Sequence, residues 1–199
     1  MSQTLTSRHA RFDALVLPHL DRLLAFALRR IGDGADAEDA LQETCGRAWL
    51  AFDELRDESK VRAWLYRILR TVLSEMQQRT ARRRHLVDIT RLEVAHEELI
   101  GGDRDILFDE VASRLTGEEV HAALAQLPDD FAVAVELHDI YGFKYCEIAD
   151  ITGVPIGTVM SRISRGRRLL AGAVLANRAA STPMRAPSVR SSRGEGGIR

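Results

Sequence analysis

A chain of 199 residues with 45% hydrophobic side chains suits one domain, or two small ones, with a packed interior. Its formal net charge of −1 excludes a uniformly basic coat, so any contact with a polyanion must come from local patches. The first residues, MSQTLTSRHARFD, lack the apolar core of a signal peptide, and no apolar run approaches the ~18 residues of a membrane span, so a cytosolic protein without membrane insertion is expected.

Aromatic residues are only 6%, strand-like alternation is hard to find, and apolar residues recur at helical spacing throughout. The expected fold is therefore all-α. Residues 1–11 read as a flexible N-terminus. From Phe12 to Ile31 the apolar positions describe one long amphipathic helix, eased at Pro18. A GDGAD turn follows, and DAEDALQETCGRAWLAF reads as a second helix with acid in its first turn. Its polar side carries Asp39, Gln42, Glu43 and Arg47, which by residue type alone suits plain solvation as well as a partner. After a charged loop, residues 53–61, a third helix starts near Arg62. Trp64, Leu65, Ile68, Leu69, Val72 and Met76 form its apolar half, with Arg67, Arg70, Thr71, Ser74, Gln77 and Gln78 opposite. Trp64 and Tyr66 are candidates to stack on an unpaired base, although Trp64 falls on the apolar half. Arg79, Arg82, Arg83 and Arg84 at the end of this helix exceed what the helix dipole requires and suit phosphate contact.

Residues 85–117 are rich in Asp and Glu and interrupted by Gly101-Gly102, which reads as a flexible acidic linker. Extended at ~3.3 Å per residue, it reaches beyond two duplex turns of ~34 Å each. Thr116 and Glu119 form a capping-box pattern, Pro128 opens a further helix, and Tyr141-Gly142 closes it. GFKYCEIADITGVPIGTVMSRISRGRRLL, residues 142–170, then reads as a helix-turn-helix: a short helix to Thr152, a break at Gly153, and a second helix after Pro155. On that second helix Val159, Ile163, Gly166 and Leu170 share the inward side, while Thr158, Ser161, Arg162, Arg165 and Arg168 cluster outward. Hydroxyls and guanidiniums on an outward face are what a helix in the major groove needs, and they also suit a solvated cationic face. Residues 177–199, rich in Ser, Pro, Gly and Arg, read as a disordered tail.

No motif carries catalysis: there is no phosphate-binding Gly loop, HExxH or GxSxG, and the six histidines are scattered. No enzyme activity, cofactor, metal or small-molecule substrate is expected. Cys45 and Cys146 lie far apart without metal-ligand spacing and read as buried small apolar residues.

Two stretches resemble one family, the extracytoplasmic-function (group four) sigma factors of the sigma-70 family. DAEDALQETCGRAW and RAWLYRILR are similar to its second domain, and residues 122–170 to its fourth. The resemblance implies two small helical domains, over 12–84 and 118–176, that bind core RNA polymerase and promoter DNA. It implies that Asp39, Gln42 and Glu43 dock on the polymerase clamp. Lys60, Arg67, Arg70, Thr71, Arg79, Arg82, Arg83 and Arg84 would serve the −10 element. Thr158, Ser161, Arg162, Arg165 and Arg168 would serve the −35 element, and an anti-sigma factor is an expected partner. Thr71 and Glu75 stand where the family commonly has Asn and Asp, and Met160 where it commonly has a basic residue. Two rival readings remain: a stand-alone helix-turn-helix regulator binding operator DNA as a dimer, and a thiol sensor using Cys45 and Cys146.

Overall fold

The computed structural model describes the backbone of residues 2–85 and 117–181, with side chains over 7–80 and 117–178. All regular elements among the described residues are helical. The expected acidic linker and the expected C-terminal tail fall, apart from a few flanking residues, outside them.

The first expected helix is divided. α1 runs Ser2–Val16, a tight turn spans Leu17–His19 around Pro18, and α2 runs Leu20–Ile31. A proline has no N–H to give and fixes φ, so the chain changes direction there. The N-terminal segment is helical from Ser2, earlier than the apolar spacing suggested, and it is anchored from Arg8 onward. The Arg8 guanidinium lies 4.0 Å from the Trp49 ring centroid and donates to the Trp49 carbonyl at 2.8 Å. Phe12 meets Trp49 and Phe52 edge-on at 5.2 and 5.1 Å. None of these partners is local in sequence, so periodicity could not announce them.

Gly32 closes α2 in a left-handed conformation (φ 79°), and its N–H reaches the Leu28 carbonyl at 2.8 Å. Asp33 then caps α3, Gly34–Leu50, accepting from the Asp36 N–H at 3.0 Å. α3 buries Ala37, Ala40 and Ala48, small side chains that let it lie close against α2, which contributes Leu23, Phe26 and Ala27. Two short turns, Phe52–Glu54 and Glu58–Lys60, lead into α4, Val61–His85. Leu65, Tyr66, Leu69, Val72 and Leu73 of α4 complete this interior. Each fully buried Leu or Phe contributes about 1.5–3 kcal/mol relative to exposure.

The C-terminal unit begins with α5, Gly117–Leu124, and α6, Asp129–Val135, which relaxes into a wider helical turn over Glu136–Ile140. Gly142 (φ 67°) ends that turn, α7 spans Tyr145–Thr152, Gly153 (φ 70°) makes the sharp corner, and α8 runs Ile156–Ser181. Both glycines sit where a side chain would strain the backbone. Glu147 accepts from the Lys144 N–H at 2.7 Å and fastens the start of α7. Val159, Ile163 and Leu170 are buried as their spacing predicts. Gly166 is buried for a steric reason: a Cβ there would lie 2.5 Å from the Val135 side chain and 3.0 Å from the Phe131 carbonyl. α8 therefore crosses α6 at close range.

The two units pack together. One hydrophobic cluster joins Phe26, Tyr66 and Leu69 of the first to Leu137, Tyr141, Phe143 and Ile148 of the second. No helix among the described residues is long and apolar enough to cross a membrane. The cytosolic expectation is corrected to that narrower statement, because lack of a span places a chain in no compartment.

Candidate nucleic-acid interface

Asp39, Gln42 and Glu43 are exposed on α3, three and four residues apart and so on one face. They edge a cleft of about 680 Å³ whose other wall is Val72, Glu75, Met76 and Arg79 of α4. Asp39 and Gln42 make no side-chain hydrogen bond or ion pair among the described residues, which leaves them open to a partner. Glu43 instead accepts from Arg47 at 2.8 Å, and Arg47 grips both oxygens of Glu75 at 2.9 and 2.7 Å. Arg79 closes the series 3.6 Å from Glu75. The hydrogen bonds from Arg47 hold the Glu75 carboxyl below its usual range, against the opposing effect of burial and with help from the charges of Arg47 and Arg79. Glu75 thus joins α3 to α4.

On α4, Arg67, Thr71, Ser74 and Gln78 form an exposed stripe three and four residues apart. The Thr71 hydroxyl donates to the Arg67 carbonyl at 3.0 Å, and Lys60 is exposed on the preceding turn. Arg79 is largely exposed at the far end. The α4 backbone continues past Arg82, Arg83 and Arg84, whose side chains lie outside the described residues. Two sequence-based expectations change here. Arg70 faces the C-terminal unit instead of solvent, donating to the Thr152 carbonyl at 2.7 Å and lying 3.7 Å from Asp130. Tyr66, a candidate base-stacking ring, is buried among Phe26, Tyr141 and Phe143 with centroids 5.4, 5.1 and 5.0 Å away. Trp64 is half-buried against the same interior.

On α8, Ser161 is exposed, while Thr158, Arg165 and Arg168 are half-buried. Arg165 and Arg168 have no ion-pair partner among the described residues, so their guanidiniums are available to an anion. Arg162 sits at the flank of the face, where Asp130 of α6 accepts from it at 2.6 Å. Its position beside the buried stripe explains this, since α6 packs on that side. Helical spacing alone did not single out Ser164, which is exposed between Ser161 and Arg168, or the exposed apolar side chains of Ile156 and Met160 one turn apart. Ile156 and Met160 thus give this face an exposed apolar patch beside its hydroxyls and guanidiniums.

Both cysteines are free thiols, but neither is buried as expected: Cys45 is half-buried and Cys146, on the outer side of α7, is exposed. Burial pushes the Cys45 thiol above its ordinary range, opposite to the shift that makes a reactive thiolate. Among the described residues no group of His, Cys, Asp or Glu could hold a metal ion.

Residues 15–84 match the family model for sigma-70 region 2, and residues 117–170 match that for sigma-70 region 4. The chain is similar to the RNA polymerase sigma-H factor of Pseudomonas aeruginosa, 31% identical over 80% of this chain and 83% of that one. It is 37% identical to the ECF RNA polymerase sigma factor SigE of Mycolicibacterium smegmatis over 80% of its own length, spanning 60% of that longer relative. Among solved structures it resembles the sigma factor RpoE from Bartonella quintana, crystallised with the anti-sigma factor NepR. The TM-score is 0.65 at 30% identity, covering 84% of this chain and 99% of that one. Helix-turn-helix, region 2 bundle and similarity over four-fifths of the chain converge: the chain belongs to the extracytoplasmic-function sigma factors of the sigma-70 family.

Proposed function

We propose that this sigma factor, itself not an enzyme, docks on core RNA polymerase through Asp39, Gln42 and Glu43 and reads two promoter elements with its two helical units. The family's role is in transcription initiation; the division among residues is our reading. Boundaries at 12–84 and 118–176, with 85–117 between and 177–199 beyond, assign the units. Open carboxylate and amide groups on α3 suit basic side chains on a partner helix. The exposed stripe of α4, with Lys60, Arg67, Thr71, Arg79 and the Arg82 to Arg84 cluster, suits phosphates and extruded bases of a −10 element. Arg70 joins that set only when it leaves Thr152. Thr158, Ser161, Arg165 and Arg168, with Arg162 once it leaves Asp130, suit the major groove of a −35 element. The anti-sigma factor bound to the Bartonella relative makes a protein antagonist of the same kind the expected regulator.

The observation that carries this reading is the presence, in order and in one chain, of both the region 2 and the region 4 units. Transcription from a promoter library with purified core polymerase tests it. Replacing Gln42 and Glu43 together with Ala should weaken core binding with the helical content unchanged; undiminished binding would remove the docking assignment. An operator-binding dimer would instead show tight, palindromic duplex binding without polymerase.

A further inference from the structure

The segment between α3 and α4, residues 51–60, leads to Lys60 and the first turn of α4, and so sets where the expected −10 groups begin. Phe52 and Leu55 are buried, but the backbone hydrogen bonds within the segment are short-range. Glu54 donates to Ala51 at 3.0 Å, Leu55 to Phe52 at 3.1 Å and Lys60 to Asp57 at 3.1 Å. Bonds of that kind shape a turn without fixing it against the rest of the molecule.

α1 supplies the long-range ties. Arg8 donates to the Asp53 carboxylate at 3.2 Å and to the Trp49 carbonyl at 2.8 Å, with its guanidinium 4.0 Å from the Trp49 ring centroid. Arg11 donates to Glu58 at 2.7 Å and lies 5.2 Å from the Phe52 centroid. The two arginines, three residues apart on one face of α1, thus hold the segment at both of its short turns. They also answer a charge problem. Residues 53–60 carry four carboxylates against Arg56 and Lys60, a poor approach for a phosphate backbone. Asp57 turns its own carboxylate to the Ser59 N–H and hydroxyl at 3.0 and 2.6 Å, while Arg8 and Arg11 neutralise Asp53 and Glu58. Exposed ion pairs add little to stability, and Arg11 and Glu58 are each half exposed, so these ties act on orientation more than on folding energy.

We propose that Arg8 and Arg11 are positioning residues for −10 recognition: they hold residues 51–60, and through them Lys60, against α3, and they cancel carboxylates that would repel the promoter. None of the contacts above involves Asp39, Gln42 and Glu43 or the α8 face. The inference rests on the reading of Lys60 and α4 as the −10 reader.

The test uses the full chain with Arg8→Ala, with Arg11→Glu, and with the charge swap Arg11→Glu plus Glu58→Arg. Amide hydrogen exchange on the free chain reads residues 51–60. Transcription with core polymerase, from templates carrying a matched or a substituted −10 or −35 element, reads discrimination, for which one wrong base pair ordinarily costs about 5- to 150-fold. Arg8→Ala should speed amide exchange across 51–60 and shrink the −10 ratio by about threefold or more, with the −35 ratio and core affinity as in the wild type. Arg11→Glu should act in the same direction, and the charge swap should restore both readings. Unchanged −10 discrimination overturns the proposal. So does an equal fall at −10 and −35, which is what a general loss of structure would produce, and so does a charge swap that restores nothing. Should Arg8→Ala lose helical content by circular dichroism, the Arg11 and Glu58 variants, which alter only half-exposed side chains, decide alone. Amide exchange needs neither polymerase nor DNA, so the two failures read differently. A wild type that initiates from no template refutes the sigma reading and with it the −10 role, whereas unaltered exchange in the variants refutes the brace itself.

Discussion

The two helices that carry the candidate reading faces, α4 and α8, are built alike and used unlike. Each buries one stripe and leaves another to solvent, but α4 is walled on two sides, by its own bundle and by α7 of the second unit. Its inward stripe therefore extends around to Tyr66, and Arg70 is drawn away from solvent. α8 is covered mainly by α6 and α7, so its outer surface stays open from Ile156 to Arg168, with Arg162 alone tied back to Asp130 among the expected −35 residues. A single-helix wheel predicts the second case well and the first badly, because it counts one packing partner.

That contrast can be broken by substitutions. The largest effect is expected in the first unit, where Phe26→Ala removes a fully buried ring that touches both Tyr66 and Tyr141. A loss of about 3–5 kcal/mol in denaturant unfolding is expected. A loss under 1 kcal/mol would mean that the aromatic seam adds little. In the second unit Gly166→Ala forces α8 away from Val135 and Phe131, with a penalty of about 1–3 kcal/mol. An unchanged midpoint would show that the crossing is loose.

Smaller effects sharpen the functional half of the comparison. Arg165→Ala on the open face of α8 should lower promoter discrimination by about 1–3 kcal/mol if the guanidinium makes a bidentate base contact. Equal loss on scrambled −35 sequences would reassign it to phosphate. Glu75 gives the mildest signal, read from pH. Its carboxyl is held below the ordinary 4.5, so the native state favours the charged form. The stability it adds is complete above that value and disappears as pH falls through the lower folded value. Glu75→Gln should flatten that part of the acid-stability profile only slightly, because solvent screens a pair this close to the surface. An identical profile would remove Arg47 and Glu75 as a link between α3 and α4.

Much of the fold was legible because it is local. The buried stripe of Val159, Ile163 and Leu170 and the corner at Gly153 each arise within a turn or two of chain. The helical start of the N-terminus was not legible, since Arg8 and Phe12 find their partners more than thirty residues later, at Trp49 and Phe52. The same holds for the candidate site. Asp39, Gln42 and Glu43 fall on one exposed face because helix geometry alone puts them there. Arg70 and Arg162 are diverted by carbonyl and carboxylate partners 82 and 32 residues away, and Glu136 pairs with arginines more than a hundred residues before it. Charge patterning along the chain carries no trace of such pairings.

The central claim is that two helical units act together only when polymerase holds them on a promoter. Transcription from a randomised promoter library by purified core enzyme, with and without the full chain, tests it most directly. The account predicts initiation that depends on the chain and on two separated sequence elements, with strand opening at the downstream one. Tight binding of a palindromic duplex by the chain alone, with no initiation from any template in the presence of core, would contradict it.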